Sequence, residues 1–459
     1  MRLIQTHSAD PAHSGSGNRR GTILVVTSVG AGAMVGMMLL IMETGMIMDT
    51  RRRAQNAIDS AALAAAQTLV RQQTTASATD EATTFIQEHN ALQGGTISLH
   101  MPPLTGPYAG RYGYCEARVQ KHSENTLFSS FMGAVSPTVN ARAVAGYRSV
   151  SSPEMIIALD KRYSPGLNCV GNGQLVIDGG VITNSQGWGV DEHGAAVSGA
   201  INGYAGNIGS NGTFRGRNFR ICGGVNNPAG FLPYLAGGDP PLKCRQALVP
   251  DPLINLPTPT VSTGVVDVNR GRVQISSAGY TGTLSPGIYS DINISGGTVT
   301  FQPGIYVITG GELKITGGNV TANGVMFYIT LRDYNPATGL PDSSDGETLP
   351  PTNNAQRGGI TVTSSATLRA YNNPSSPFHG MLFYLRRIND SAVTVAGNAT
   401  SGQVVGTIYS RWSQLTLTGQ GVFNTQFIIG NVKWSGNGDM TLSPSGYDFA
   451  KAGLVYLVE

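Results

Sequence analysis

Charge is scarce in this sequence. Asp, Glu, Lys and Arg make up 12% of its 459 residues, about half the usual share for a soluble globular domain. Only six lysines occur, and the net charge of +3 comes from opposite signs mixed along the chain. No basic field follows from such a distribution, so nucleic acid is not expected as a partner. Cysteine is sparse as well. Cys115, Cys169, Cys222 and Cys244 include no CxxC pair, which removes thioredoxin-like redox motifs and paired-cysteine zinc sites. No two of the seven histidines stand at a helical or strand metal-ligand spacing. Gly-x-Ser-x-Gly, the phosphate-binding loop and Gly-x-Gly-x-x-Gly are all missing. The chain is therefore read as non-enzymatic, with no catalytic set, no cofactor and no metal.

Long apolar runs are absent with one exception. From Thr22 to Met42 the sequence reads TILVVTSVGAGAMVGMMLLIM, 21 residues without a charge. A helix needs roughly 20 apolar residues to cross a bilayer, and a secretory signal would have a shorter apolar core. Residues 22–42 are thus expected to meet lipid as an uncleaved span, behind a polar tail at 1–20. Arg19 and Arg20 flank one side and Arg51, Arg52 and Arg53 the other, so the positive-inside count does not orient the span. Gly32 and Gly36 form a GxxxG step, a candidate helix-packing face; small residues are also simply common in spans. Beyond the arginines, Ala54 to Leu69 is rich in alanine, seven of 16 residues, and alanine is the best helix former. A helix from Thr22 to Val70 would be a rod of roughly 70 Å, and the alanine stretch is read as a stalk that needs no core around it.

The segment RRGTILVVTSVGAGAMVGMMLLIMETGMIMDTRRRAQNAIDSAALAAAQTL resembles the N-terminal segment of TadG-like proteins of the Tad (Flp) pilus-assembly system. An Arg-Arg-Gly start, an apolar span, an acidic-x-Gly step at Glu43 and Gly45, a basic run, and a Gln-Asn-x-x-Asp-x-Ala-Ala-Leu-Ala element at Gln55, Asn56 and Asp59 carry the likeness. Glu43 stands where the family usually has Asp. The glutamate that pilin-like peptidase substrates carry five residues into the mature chain is Val26 in this sequence, so a retained anchor is expected. The resemblance implies a single-pass protein of the cytoplasmic membrane with an extracytoplasmic C-terminal region, in the periplasm or at the surface. Other Tad pilus components, and a surface glycan, are its candidate partners.

The expected fold is mainly β, in four parts: the tail at 1–20, the span and stalk at 21–72, a small α+β module at 73–150, and a β-solenoid at 151–459. Residues 77–95 predict a helix capped by Ser77 or Thr79 and ended at Gly94. TISLHM and YGYCEARVQ predict strands. MIIALDKRYS resembles the start of a metal-binding von Willebrand A domain, but Arg162 takes a position where that site needs a serine oxygen, so Asp160 is read as a loop residue.

Glycine numbers 61, nearly double its usual share, and it falls in recurring phrases. IDGGVIT at Ile177 returns as ISGGTVT at Ile294 and ITGGNVT at Ile315; LSPGIY at Leu284 returns as FQPGIY at Phe301; VTVAGNAT, LTLTGQGVF and KWSGNGDMTL follow. Equivalent positions recur every 17 to 22 residues, the length of one coil of a right-handed parallel β-helix, or β-solenoid; a β-sandwich is the alternative. Val299, Phe301, Ile305, Val307, Leu313, Ile315, Val320, Val325 and Phe327 are the expected inner stack. Irregular insertions are expected at about 228–259, rich in proline, and 331–357, read as a mobile loop. Acids stand singly along these phrases except at Asp191-Glu192-His193, read as a solvent-facing corner. Other readings are a tethered glycan- or surface-binding module, with an aromatic platform near Tyr409 and Trp412, and a β-helix enzyme acting on envelope polysaccharide. Cys222 and Cys244 are the first candidates for a disulfide, although four cysteines allow three connectivities.

Overall fold

Asn18 to Val70 form one uninterrupted helix, α1, of 53 residues. In this computed structural model residues 18–70, 75–86, 96–110, 114–122, 137–151, 154–209, 211–254, 256–340, 358–364, 366–399, 403–444 and 446–458 are described. The hydroxyls of Thr27, Ser28, Thr44 and Thr50 donate to carbonyls three or four residues back on the helix, which satisfies them without solvent. The chain divides into two units, residues 1–148 with 455–459, and 149–454.

In the first unit, α1 is followed by α2 (Thr75–Thr84) and by strands β1 (Thr96–His100), β2 (Tyr114–His122) and β3 (Thr138–Ser151). A fourth strand, Lys451–Leu457, pairs beside β3. Helix α2 starts ahead of the expected cap, and Gly94 lies outside the described residues. The alanines of α1 correct the stalk reading. Ala54, Ala57, Ile58, Ala61, Ala62, Ala65 and Ala66 have no exposed surface, and they pack with Cys115, Ala117 and Val119 of β2 and Ala141, Ala143 and Ala145 of β3. Alternate residues of a strand share one face. Small side chains on both sides let the helix backbone settle directly onto that face, so the alanines are one half of a core.

The second unit is dominated by a 20-stranded sheet whose strands pair in parallel. The recurring phrases lie side by side in register. Thr298, Val299 and Thr300 stand opposite Asn319, Val320 and Thr321, and Leu284 opposite Phe301. One column of buried aliphatics runs Ile275, Ile294, Ile315, Val362, Val395, Leu417 through successive partners. Each such side chain contributes about 1.5–3 kcal/mol on burial. Gly297 and Gly318, with φ +77° and +80°, turn the chain at neighbouring corners. A Cβ on Gly318 would lie 2.7 Å from the Gly297 carbonyl oxygen, which explains why the phrase keeps a glycine there.

Strand order differs from sequence order. The strands at Glu154–Ala158 and Gln174–Thr183, first in the unit, pair with the last ones, Ile156 opposite Phe427 and Leu175 opposite Met440. Strand Asn269–Ile275 starts a separate run that climbs toward them. Residues 244–268 connect the two runs by crossing the strands as a strap. Val249 exchanges hydrogen bonds with the Asn184 side chain, Asp251 meets Tyr409, Arg387 donates to the carbonyls of Leu253 and Leu256 at 2.8 and 2.7 Å, Tyr334 donates to the Pro259 carbonyl, and Val265 bridges Ile305. Pro250, Pro252, Pro257 and Pro259 suit a segment that joins no strand ladder. The proline-rich stretch expected as an irregular insertion from 228 is therefore two things. Phe231–Pro233 and Leu242–Lys243 are strands of the sheet, and from residue 244 onward the stretch belongs to the strap.

Beneath the strap the strands are buried on both faces. Tyr306 and Ile308 belong to the large core, whereas Ile305 and Val307 join Met326, Tyr328, Tyr384 and Tyr409 under Leu253 and Leu256. The expected inner stack is thus corrected at Ile305 and Val307, which have opposite parity to their core-facing neighbours. Of the expected loop, Leu331 to Leu340 is described and its Tyr334 is buried; residues 341–357 lie outside the described residues. All four cysteines are free thiols, which corrects the Cys222–Cys244 pairing. Register carried on from Arg220 and Lys243 sets Ile221 opposite Cys244. Both lie in the core, so Cys222 points to the other face.

Replacing Arg387 by Ala leaves two buried carbonyls and the Tyr409 hydroxyl without a donor. The expected cost is about 3 kcal/mol, read as a lower thermal unfolding midpoint together with new protease cleavage within residues 247–265.

Candidate functional site: an apolar helix locked to a sheet

Most apolar side chains in the first half of α1 meet no partner among the described residues. Ile23, Leu24, Val29, Met34 and Ile41 are between 62% and 72% exposed, and the helix is long and apolar enough to cross a membrane. An apolar surface of that extent is a surface for lipid or for other helices. Gly32 and Gly36 lie on it, and a Cβ on either would meet nothing within 4 Å. Among the described residues, no helix is set against the GxxxG step. Asp49 pairs with Arg52 and Arg53 at 3.0 and 2.8 Å. Earlier on the helix, Glu43 is buried and Gly45 is open.

The second half of α1 is held to the sheet by the residues of the sequence motif. Gln55 Nε2 donates both to Asp59 Oδ1, at 2.8 Å, and to the Arg142 carbonyl of β3, at 3.0 Å. Cys115 Sγ reaches the Ala62 carbonyl. Burial pushes that thiol up to about 12, so it behaves as a packed group and not as a nucleophile. Asn56 is exposed and gives only its carbonyl, to Ser60. The structure thus brings Gln55 and Asp59 together at the joint and leaves Gly32, Gly36, Gly45 and Asn56 away from it.

A buried ion cluster pins the other face of the same sheet. Glu116 has no exposed surface. Its carboxylate accepts from Arg142, from Arg118 at 2.9 Å, from the Leu104 N–H at 2.9 Å and from Thr105 at 3.0 Å. Burial by itself would raise this carboxyl, but those donors together outweigh it and hold the group at about 2, below its usual 4.5. The sequence reading passed over Glu116. Its alternation with Cys115 and Ala117 on a strand was the available signal.

Residues 21–68 match the family model described as Flp pilus-assembly TadE/G-like. This segment is a TadE/G-like domain. No curated protein and no solved structure matches the chain. The TadE/G-like domain covers both halves of α1, the exposed apolar one and the docked one, so its motif serves the joint as well as the span.

Elsewhere, acids are used up singly. Asp178 pairs with Arg217 and Asp291 with Arg272. Asp191 accepts from the backbone of His193 and Ala195 and pairs with Arg245. Although burial opposes it, these contacts lower its carboxyl. Glu192 caps the Cys244 N–H. The Asp191 corner is therefore a capped turn. Asp160 accepts from the Arg162 N–H two residues on. Among the described residues no three His, Cys, Asp or Glu side chains converge to hold a metal. Tyr409 and Trp412 form no platform: Tyr409 is fully buried and Trp412 nearly so, the latter between the guanidinium groups of Arg162 and Arg411 at 4.4 and 4.2 Å.

Because the folded Glu116 carboxyl lies below its unfolded value, its stabilisation is full above about pH 4.5 and is lost as pH falls toward 2. Glu116→Gln is expected to flatten that acid limb and to weaken the first unit at neutral pH. Hydrogen exchange of the β2 and β3 amides against pH checks both. Gln55→Ala is expected to cost about 1–2 kcal/mol and to speed exchange in β3 around Arg142 while leaving the second unit's amides unchanged.

Proposed function

We propose that this chain is a non-enzymatic accessory of a Tad (Flp) pilus apparatus, anchored in the cytoplasmic membrane by residues 22–42 and carrying the rest of the chain on the extracytoplasmic side. One coincidence carries the reading. The TadE/G-like match at 21–68 spans a helix whose first half is bare and apolar and whose second half is fixed to a folded sheet by Gln55 and an alanine face. A helix of this kind passes from lipid into protein without a hinge, so load on the first unit reaches the membrane directly.

The parallel sheet is read as a β-solenoid, a stiff repetitive surface for contact with other pilus components. Support comes from partner positions 17 to 22 residues apart and from aliphatic columns through successive strands. Asp160, Asp178, Asp191 and Asp291, each engaged by an arginine or a turn, support a role without catalysis.

The test is genetic. Deletion of the gene is expected to abolish or sharply reduce Tad pili counted by electron microscopy. The wild-type gene should restore them, and a copy with Val35→Arg in the span should not, since an arginine at mid-span costs about 2.5–3.5 kcal/mol of insertion. Unchanged pilus numbers in the deletion strain overturn the accessory role, even where surface attachment falls.

A further inference from the structure

We infer that the second unit carries a binding cleft for a neutral sugar, at a corner where three successive runs of the sheet turn. Gly324, Gly380 and Gly406 fall at equivalent positions when the registers that set Phe327 opposite Phe383 and Met381 opposite Thr407 are carried back along the strands. All three have positive φ, +70°, +82° and +129°, so the chain kinks at the same place in each run. The segment 446–450 closes over this corner. A Cβ on Gly380 would lie 2.4 Å from the Phe449 carbonyl carbon, and the Ala450 N–H donates to Thr407 at 2.9 Å. The space left between them is about 350 Å3, at the lower end of the range of small-molecule sites, roughly 300–1,000 Å3.

The chemistry of the lining selects the ligand. Arg369 and Asp448 bring one charge of each sign, Asn323 and Asn372 bring amides, and Tyr371 and Tyr447 bring rings with hydroxyls. Such a set donates to and accepts from adjacent hydroxyls on one molecule, and the phenol rings offer apolar faces to its C–H surface. Opposite charges cancel, which disfavours an ionic ligand, and aliphatic side chains are too few for an apolar one. His379 lines the same cleft, with its Nδ1 enclosed and without a hydrogen-bond partner among the described residues. A hexose, free or as a unit of a neutral glycan, fits both the volume and the donors. The cleft belongs to the second unit and the membrane joint to the first, so this inference and the pilus role can fail separately.

The experiment uses the full chain in detergent micelles, titrated to millimolar levels with glucose, galactose, mannose and N-acetylglucosamine. Saturation-transfer NMR reports binding of each sugar. At least one sugar is expected to bind. Asp448→Asn and Asn372→Ala, both at exposed positions, are expected to weaken it by about tenfold or more, while Asp178→Asn, outside the cleft, leaves it unchanged. No saturation transfer to any of the four sugars overturns the proposal, and so does wild-type affinity in both cleft variants.

Discussion

Parallel register is the constraint on which the larger unit depends. A strand's side chains alternate between faces, so a slip by one residue would turn a column such as Ile294, Ile315 and Val362 out of the core and put Asn293, Lys314 and Thr361 into it. The glycine corners hold that register because neighbouring turns nearly touch. Once it is set, everything built on the strands follows. The tyrosines of the outer face stack as Tyr328, Tyr384 and Tyr409 with ring centroids 5.0 and 5.4 Å apart, and the glycines of the cleft fall at one corner.

The strap shows how a polar group can be kept inside such a stack. Asp251, Tyr409 and Arg387 are all buried. Burial pushes the Asp251 carboxyl up, although the Tyr409 hydroxyl and the Arg387 guanidinium oppose it. The same burial drives the Tyr409 phenol well above its usual value. The cluster holds because every member is bonded. The aspartate accepts from Tyr409 and from the Leu253 N–H, and the guanidinium is spent on two carbonyls that a proline-rich segment cannot satisfy by strand pairing.

In the first unit the joint rests on size. Alanine on α1 meets alanine on β2 and β3, so dispersion contact is gained across a close approach that larger side chains would prevent. Gln55 and Glu116 then fix orientation from opposite faces of the sheet. The strand Lys451–Leu457 returns to this unit after the whole parallel sheet, so the module is completed by residues far apart in sequence.

Local sequence determined what local chemistry governs: the apolar span, the unbroken helix, the strand phrases with their spacing, and the TadE/G-like motif. These are legible because charge, helix propensity and period-two alternation act within a few residues. Partners in space were another matter. Ala61 reads equally as a bare helix surface and as a core residue, and only the sheet laid against it decides. Ile305 and Ile308 look alike in sequence; the strap, some 50 residues earlier, decides which face of their strand it covers. Cys222 and Cys244 flank a plausible loop, and the register of two strands turns them apart. Hydrophobic contact has no direction and no sequence range, so which surfaces bury one another was left to the tertiary structure.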